Sequence, residues 1–213
     1  MRLTLLALSR DNRASSAAEF ALVLPLLLIF LLGIVDVGRL MWTWNRAEKA
    51  TQMGVRFAVA TEMVPNGLAA HSFVNGTTIT QGDPIPITAF GGASCLLSGS
   101  AVNCSCNTGA TCPSPLVSNS ANALTAFNRV VGRMDDFMPE ITADKVRIDY
   151  DYSGLGYAGD PNGSEVSPLV RVSIRPNTLT FTPLLFTLFN GTISLPSFSA
   201  ALTMEDGQGS QSN

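Results

Sequence analysis

The stretch "RASSAAEFALVLPLLLIFLLGIVD", residues 13–36, decides the fold. From Phe20 to Val35 no charged residue occurs, and these 16 residues would span about 24 Å as an α-helix at roughly 1.5 Å per residue. A hydrocarbon layer is about 30 Å thick, so flanking residues must extend the span. Trp42 and Trp44 suit the aromatic belt at a membrane surface. We therefore predict a membrane helix from about Ser16 to Trp44.

Two simpler interpretations compete with a functional membrane helix. A cleaved secretory signal has an apolar run of about 7 to 15 residues and a small-residue cleavage site, and this stretch is longer and lacks such a site. A plain signal anchor explains every feature except Glu19 and the small residues before it. Asp36 and Arg39, spaced three apart, are expected to form an ion pair at the far end of the run.

The composition favours a membrane segment joined to an exported domain of low charge. Charged residues are 14% of the 213 and hydrophobic residues 46%, whereas about 25% charged is usual. The net charge is -3, and residues 1–14 contribute +2 (three Arg against one Asp), which leaves -5 for the rest. Because this remainder has no basic stripe of the kind that phosphate binding requires, we expect no nucleic-acid partner.

Glu19 is the residue that an ordinary anchor does not require. A charge near the centre of a membrane helix costs about 2.5 to 3.5 kcal/mol, and less near an end, so its presence points to a partner or a function. The simpler interpretation is a carboxylate level with the lipid headgroups. However, Glu19 follows the small residues 14–18 and the basic residues Arg10 and Arg13.

With its flanks, this region resembles a known family. The sequence "SAAEFALVLPLLLIFLLGIVDVGRLMWTWNRAEKATQMGVRFAVA", residues 16–60, is similar to the N-terminal signature of TadE-like proteins, minor pilin-like subunits of the tight-adherence (Tad/Flp) pilus, a branch of the type IV pilus family. Residues 184–205, "LLFTLFNGTISLPSFSAALTME", are more loosely similar to the C-terminal end of the family.

The resemblance implies processing and assembly roles for named residues. It implies cleavage by a prepilin peptidase between Ala14 and Ser15, although the family usually has Gly where this chain has Ala14. It also implies that Glu19 pairs with the new amine of Ser15 on a neighbouring subunit. Phe20 and Pro25 belong to the matching "FALVLP" pattern, and Pro25 is expected to bend the helix or to be incidental.

The resemblance also implies partners, location and function. The expected partners are the membrane, a prepilin peptidase, other Tad pilins and pilus assembly proteins. The expected location is the bacterial inner membrane, with the N-terminus cytoplasmic and the C-terminal domain periplasmic. The expected function is pilus biogenesis, surface adhesion and biofilm formation. Two alternatives stay open: a membrane-anchored extracytoplasmic binding protein outside any pilus, and a secretion-system pseudopilin.

The four cysteines favour an oxidising compartment for the C-terminal part, because they lie close together in a loop-like stretch: Cys95, Cys104, Cys106 and Cys112. Cys104 and Cys106 are too close to pair with each other comfortably, which leaves Cys95–Cys104 with Cys106–Cys112, or Cys95–Cys106 with Cys104–Cys112. Their spacing fits no common zinc finger, so we expect neither a metal nor a cofactor.

The rest of the pattern predicts an α+β fold, in which a long N-terminal helix is followed by an extracytoplasmic head with an antiparallel sheet, one amphipathic helix and a disulfide-stapled loop. Helical spacing of Ala50, Met53, Phe57, Ala60 and Val64 extends the first helix to about Met63. An amphipathic helix is expected at 119–138 and strands at about 77–90, 146–152, 169–175 and 192–204. The predicted regions are a leader (1–14), the long helix (15–64), the head (65–205) and a disordered tail (206–213).

Three further features bear on function. The apolar segment "LTFTPLLFTLF", residues 179–189, is expected to be a buried connector or a surface that another subunit covers. His71 is the only histidine and lies in a polar stretch, so no catalytic triad is indicated. Asp149 and Asp151 are expected on the solvent face of a strand. No enzymatic activity and no small-molecule substrate are predicted.

Overall fold

The computed structural model describes the backbone of residues 12–187 and 191–204, with side chains for 16–185 and 191–204. The predicted tail and most of the predicted leader lie outside these residues. The chain divides into two compact units. The helical unit comprises the N-terminal part up to Thr43 together with Phe181–Ile193, and the sheet unit comprises Trp44–Thr180 together with the segment from Ser194 onward.

Helix α1, Asn12–Ala60, is 49 residues long and confirms the predicted long helix. Within the helical unit its apolar side chains are largely exposed; those of Leu22 and Phe30, for example, are 76% and 67% exposed. Among the described residues, α1 is the one helix long and apolar enough to cross a membrane. The α+β fold class, with a long apolar N-terminal helix, is confirmed.

Five strands form one antiparallel sheet in the order β2-β1-β3-β4-β7. They are β1 (Gly92–Ser98), β2 (Ala101–Cys106), β3 (Val146–Asp151), β4 (Leu169–Ile174) and β7 (Phe198–Thr203). The short elements are helix α2 (Asn66–Ala69), a 3-10 turn (Ala143–Lys145), strand β5 (Thr180–Phe181), helix α4 (Leu184–Thr187) and strand β6 (Ile193–Ser194), which pairs with β5.

The predicted strands at 146–152 and 169–175 are confirmed, but two other strand predictions were wrong. The single strand predicted at 192–204 is divided into β6 and β7. No strand lies at 77–90 in the described chain, where Pro84 makes one isolated bridge with Tyr157. The physical reason is the backbone chemistry of this segment: Pro84 and Pro86 lack the N–H that a ladder needs, and Gly82 has a φ of 89°.

Strand β3 shows how the sheet forms the core. Ile148 and Tyr150 point to one face and are fully buried, with cross-strand neighbours Val172 and Val170. The Tyr150 hydroxyl accepts a hydrogen bond from the backbone N–H of Val64 at 3.1 Å. Burial raises the pKa of Tyr150, so the phenol stays neutral and satisfies a backbone group just beyond helix α1.

Helix α3, Ser120–Asp135, confirms the predicted amphipathic helix. Its N-cap is Asn119, whose side-chain oxygen accepts hydrogen bonds from the N–H groups of Ala121 and Asn122, both at 3.1 Å. This cap satisfies two of the donors that a helix leaves free at its start. The buried face consists of Ala123, Ala126, Phe127, Val130, Val131 and Met134.

The C-terminal part of α1 packs in the sheet unit through small residues. The predicted stripe was partly wrong: Met53, Phe57 and Ala60 are only half-buried. The buried face of the helix is displaced by one residue from the predicted stripe. It consists of Ala47, Ala50, Thr51, Gly54, Val55, Ala58 and Val59. The reason is the close approach at Gly54, where an added Cβ would lie 2.7 Å from Met134 Cγ and 3.3 Å from Val172 Cγ1.

The cysteines form Cys95–Cys104 and Cys106–Cys112, which is one of the two predicted pairings. Cys95 and Cys104 face each other across β1 and β2, and Cys95 is fully buried. The second bridge ties the end of β2 to the loop that follows it.

Removing both cysteines of the Cys95–Cys104 bridge, by Cys95→Ala with Cys104→Ala, is expected to lower the free energy of unfolding by about 2 to 3 kcal/mol, as for loops of this length. Urea unfolding of the detergent-solubilised full chain measures the change. The Cys106→Ala with Cys112→Ala pair, which removes the bridge outside the core, gives the comparison. An unfolding midpoint equal to that of the wild type would contradict a stabilising role for the core bridge.

Candidate assembly site

The predicted processing site lies at the start of helix α1. The backbone of Ala14 and Ser15 is helical, and both residues are in the first turn after Asn12. A protease that binds extended backbone would need to unwind the helix at these two residues.

Glu19 is exposed on α1, four residues after Ser15. No hydrogen bond or ion pair joins it to another residue in the part of the chain that the structure describes. Residues four apart lie about 6 Å apart along a helix and on the same face. A cut before Ser15 would make Glu19 the fifth residue of the chain, near a new positive amine and the positive end of the helix dipole.

Phe20 and Pro25 lie on the same part of the helix. The Phe20 side chain is 65% exposed, directly beside Glu19. Helix α1 continues through Pro25, which has no N–H to donate to the carbonyl of Ala21. The structure therefore places all the predicted processing and assembly residues on one continuous helix, and it brings no second element onto Glu19 among the described residues.

Asp36 has a role that sequence reasoning only partly found. Its predicted ion pair with Arg39 is confirmed, with 3.1 Å between Oδ1 and Nη1. The carboxylate is only 7% exposed and also accepts hydrogen bonds from the backbone N–H groups of Leu184 at 2.7 Å and Leu185 at 3.0 Å. These partners lie almost 150 positions away, so no local pattern could indicate them.

Asp149 lies on the outer face of the sheet, as predicted, but it is only 8% exposed. Its Oδ1 accepts hydrogen bonds from Ser94 Oγ and Arg147 Nε, both at 2.6 Å. Ser94 is the cross-strand partner of Asp149. The two neighbours cover the carboxylate, and Arg171 pairs with Asp151 at 3.3 Å. This is a satisfied polar network on the outer face of the sheet.

The described residues contain no group of three or more His, Cys, Asp or Glu side chains placed to hold a metal ion. All four cysteines are in disulfides. His71 lies edge-on against Phe73, with ring centroids 4.7 Å apart.

Comparison with known proteins points to the N-terminal helix. Residues 14–56 match the family model described as TadE-like protein, which confirms the resemblance predicted from the sequence. The match begins at Ala14 and includes Glu19, Phe20 and Pro25. No curated protein and no solved structure matched the chain.

Proposed function

We propose that this chain, which is TadE-like over residues 14–56, is a minor pilin or pilus assembly subunit of a Tad pilus. It acts in pilus biogenesis, surface adhesion and biofilm formation as a structural, non-enzymatic protein. The single observation that carries the proposal is the family match over the helix that contains Glu19. That apolar helix also indicates a single-pass membrane anchor.

The proposed mechanism begins with processing. Arg10 and Arg13 hold the leader in the cytoplasm, and a prepilin peptidase cuts between Ala14 and Ser15. The freed amine of Ser15 then pairs with Glu19 of a neighbouring pilin. A carboxylate that is costly in lipid thus fixes the register between adjacent helices.

Bundling of the helices is the second step of the proposed mechanism. The exposed apolar side chains from Phe20 to Val37 offer a long surface to other pilin helices. The sheet unit is then displayed on the periplasmic side of the inner membrane, where disulfides such as Cys95–Cys104 persist. Its buried core and the hydrogen-bond network around Asp149 give the sheet unit a fixed shape for display or for contact with assembly proteins.

An anchor exchange tests the proposal against the alternative of a tethered binding protein. Residues 15–43 are replaced by an unrelated apolar membrane helix of the same length and orientation, and the gene is returned to a deletion strain. A pilus subunit needs its own helix, so the exchange should restore neither surface pili, counted by electron microscopy, nor surface attachment, while the wild-type gene restores both. Full attachment with the foreign anchor would overturn the proposal and favour the binding protein.

A further inference from the structure

The apolar stretch "PLLFTLF", residues 183–189, follows strand β5 in the sequence. Its first residues, up to Leu185, pack on the membrane helix within the helical unit. An added Cβ at Gly33 would lie 3.9 Å from Leu185 Cδ1, so the segment reaches about one helical turn, or about 5 Å, from Asp36 into the uncharged run.

Three backbone groups of this segment have side-chain partners on α1, as a lipid environment requires. Non-helical backbone at membrane depth is tolerated only where its N–H and C=O groups have partners. Asp36 accepts hydrogen bonds from the backbone N–H groups of Leu184 and Leu185. Arg39 Nη1 donates a hydrogen bond to the carbonyl oxygen of Thr182 at 3.5 Å. The Arg39 guanidinium also lies over the Phe181 ring, 5.3 Å from its centroid.

The side chains beside these hydrogen bonds present an entirely apolar surface. Leu184 is 41% exposed. A groove of about 480 Å³ runs next to it and is lined by Ile29, Phe30, Gly33, Ile34, Val37 and Leu185. Because no lining side chain is polar, the groove offers no hydrogen bond to recognise a polar ligand. An acyl chain makes no such demand, and the groove is continuous with the lipid-facing surface of α1.

We propose that the segment from Phe181 to Thr187 is a second lipid-inserted element, buried in the bilayer beside α1. Asp36 and Arg39 form hydrogen bonds with its backbone N–H and C=O groups, which lowers the cost of moving them into lipid. The partner is the acyl region of the leaflet on the Trp42 side of the span. The chain thus contacts the membrane at two points that are distant in sequence. This inference rests on the membrane helix and does not depend on the proposed role in a pilus.

Tryptophan quenching by lipid tests the insertion. In a Trp42→Phe, Trp44→Phe background, the full chain carries Leu184→Trp and is reconstituted in phosphatidylcholine vesicles brominated near the middle of the acyl chains. Leu26→Trp, in the predicted span, and Leu155→Trp, 56% exposed in the sheet unit, are matched controls. We expect Leu184→Trp and Leu26→Trp to lose most of their emission relative to unbrominated vesicles, and Leu155→Trp to lose none.

Two results would overturn the inference. Quenching of Leu184→Trp by aqueous iodide and not by brominated lipid would place the segment in water. Protection from both quenchers would show that protein, such as a second copy of the chain, covers it.

The role of Asp36 is tested in the same Leu184→Trp reporter. Asp36→Ala leaves two N–H groups without an acceptor, so the lipid quenching should be largely lost. Asp36→Asn keeps an acceptor oxygen and should restore much of it. The Leu26→Trp reporter in the Asp36→Ala protein checks that α1 is still inserted. Unchanged quenching of Leu184→Trp in Asp36→Ala would contradict the capping role.

Discussion

A Glu19→Ala variant is expected to enter the membrane normally and to lose almost all incorporation into pili. The variant leaves the Ser15 amine of a neighbouring subunit without its counter-ion in a helix bundle. Breaking a buried ion pair in this way costs about 3 to 5 kcal/mol, which corresponds to a loss of about a hundredfold or more in assembly. The measurement is the amount of the subunit in sheared pili relative to the amount in the membrane fraction.

Two matched variants show whether assembly depends on the charge of the Glu19 side chain, on its size or on its position along the helix. Glu19→Gln keeps the size of the side chain but not its charge, so it should fail nearly as severely as Glu19→Ala. Glu48→Ala removes an exposed carboxylate from the same helix, whose partner is the indole N–H of Trp44 at 2.7 Å, and should assemble normally. If the Glu19→Ala variant enters pili as well as the wild type does, the proposed ion pair between Glu19 and the Ser15 amine is wrong.

A Gly54→Leu variant is expected to be the most damaging change in the sheet unit, with a loss of about 3 kcal/mol in the free energy of unfolding. Gly54 is fully enclosed between α3 and the sheet, where an added Cβ already lies within 2.7 Å of Met134 Cγ. Met134 is fully buried and has little room to move aside. A leucine would therefore push α1 away from its packing partners. Urea unfolding followed by circular dichroism measures the loss.

Gly132→Ala is the matched control for Gly54→Leu, because an added Cβ at Gly132 on helix α3 meets no atom within 4 Å. Replacing a helical glycine where space is available is expected to stabilise the protein by about 0.5 to 1 kcal/mol. If Gly54→Leu unfolds at the same urea concentration as the wild type, the close packing described at this position is wrong.

The elements that could be predicted are those with a local cause. The uncharged run from Phe20 to Val35 is sufficient to indicate α1, and Asn119 before an amphipathic pattern is sufficient to indicate α3. The alternation in β3 and β4 predicts half-buried strands. The family resemblance was equally local, since the match covers residues 14–56.

The features that could not be predicted depend on contacts between distant parts of the chain. Asp36 has an obvious local partner in Arg39, and this pair hides its stronger role as acceptor for Leu184 and Leu185. The buried stripe of α1 was misplaced because large residues were taken as the core, whereas close approach at Gly54 favours small ones. The low exposure of Asp149 could not be predicted, because Ser94 is brought beside it only by the register between β1 and β3.

Mass spectrometry of the N-terminus of the protein purified from its native membranes tests the central claim most directly. The account requires a freed amine beside Glu19, so the first residue should be Ser15, and this species should be absent when the prepilin peptidase is deleted. A chain that still begins at Met1 in membranes with an active peptidase would contradict the account. Glu19 would then have no amine to pair with, and a simple membrane anchor would describe the helix.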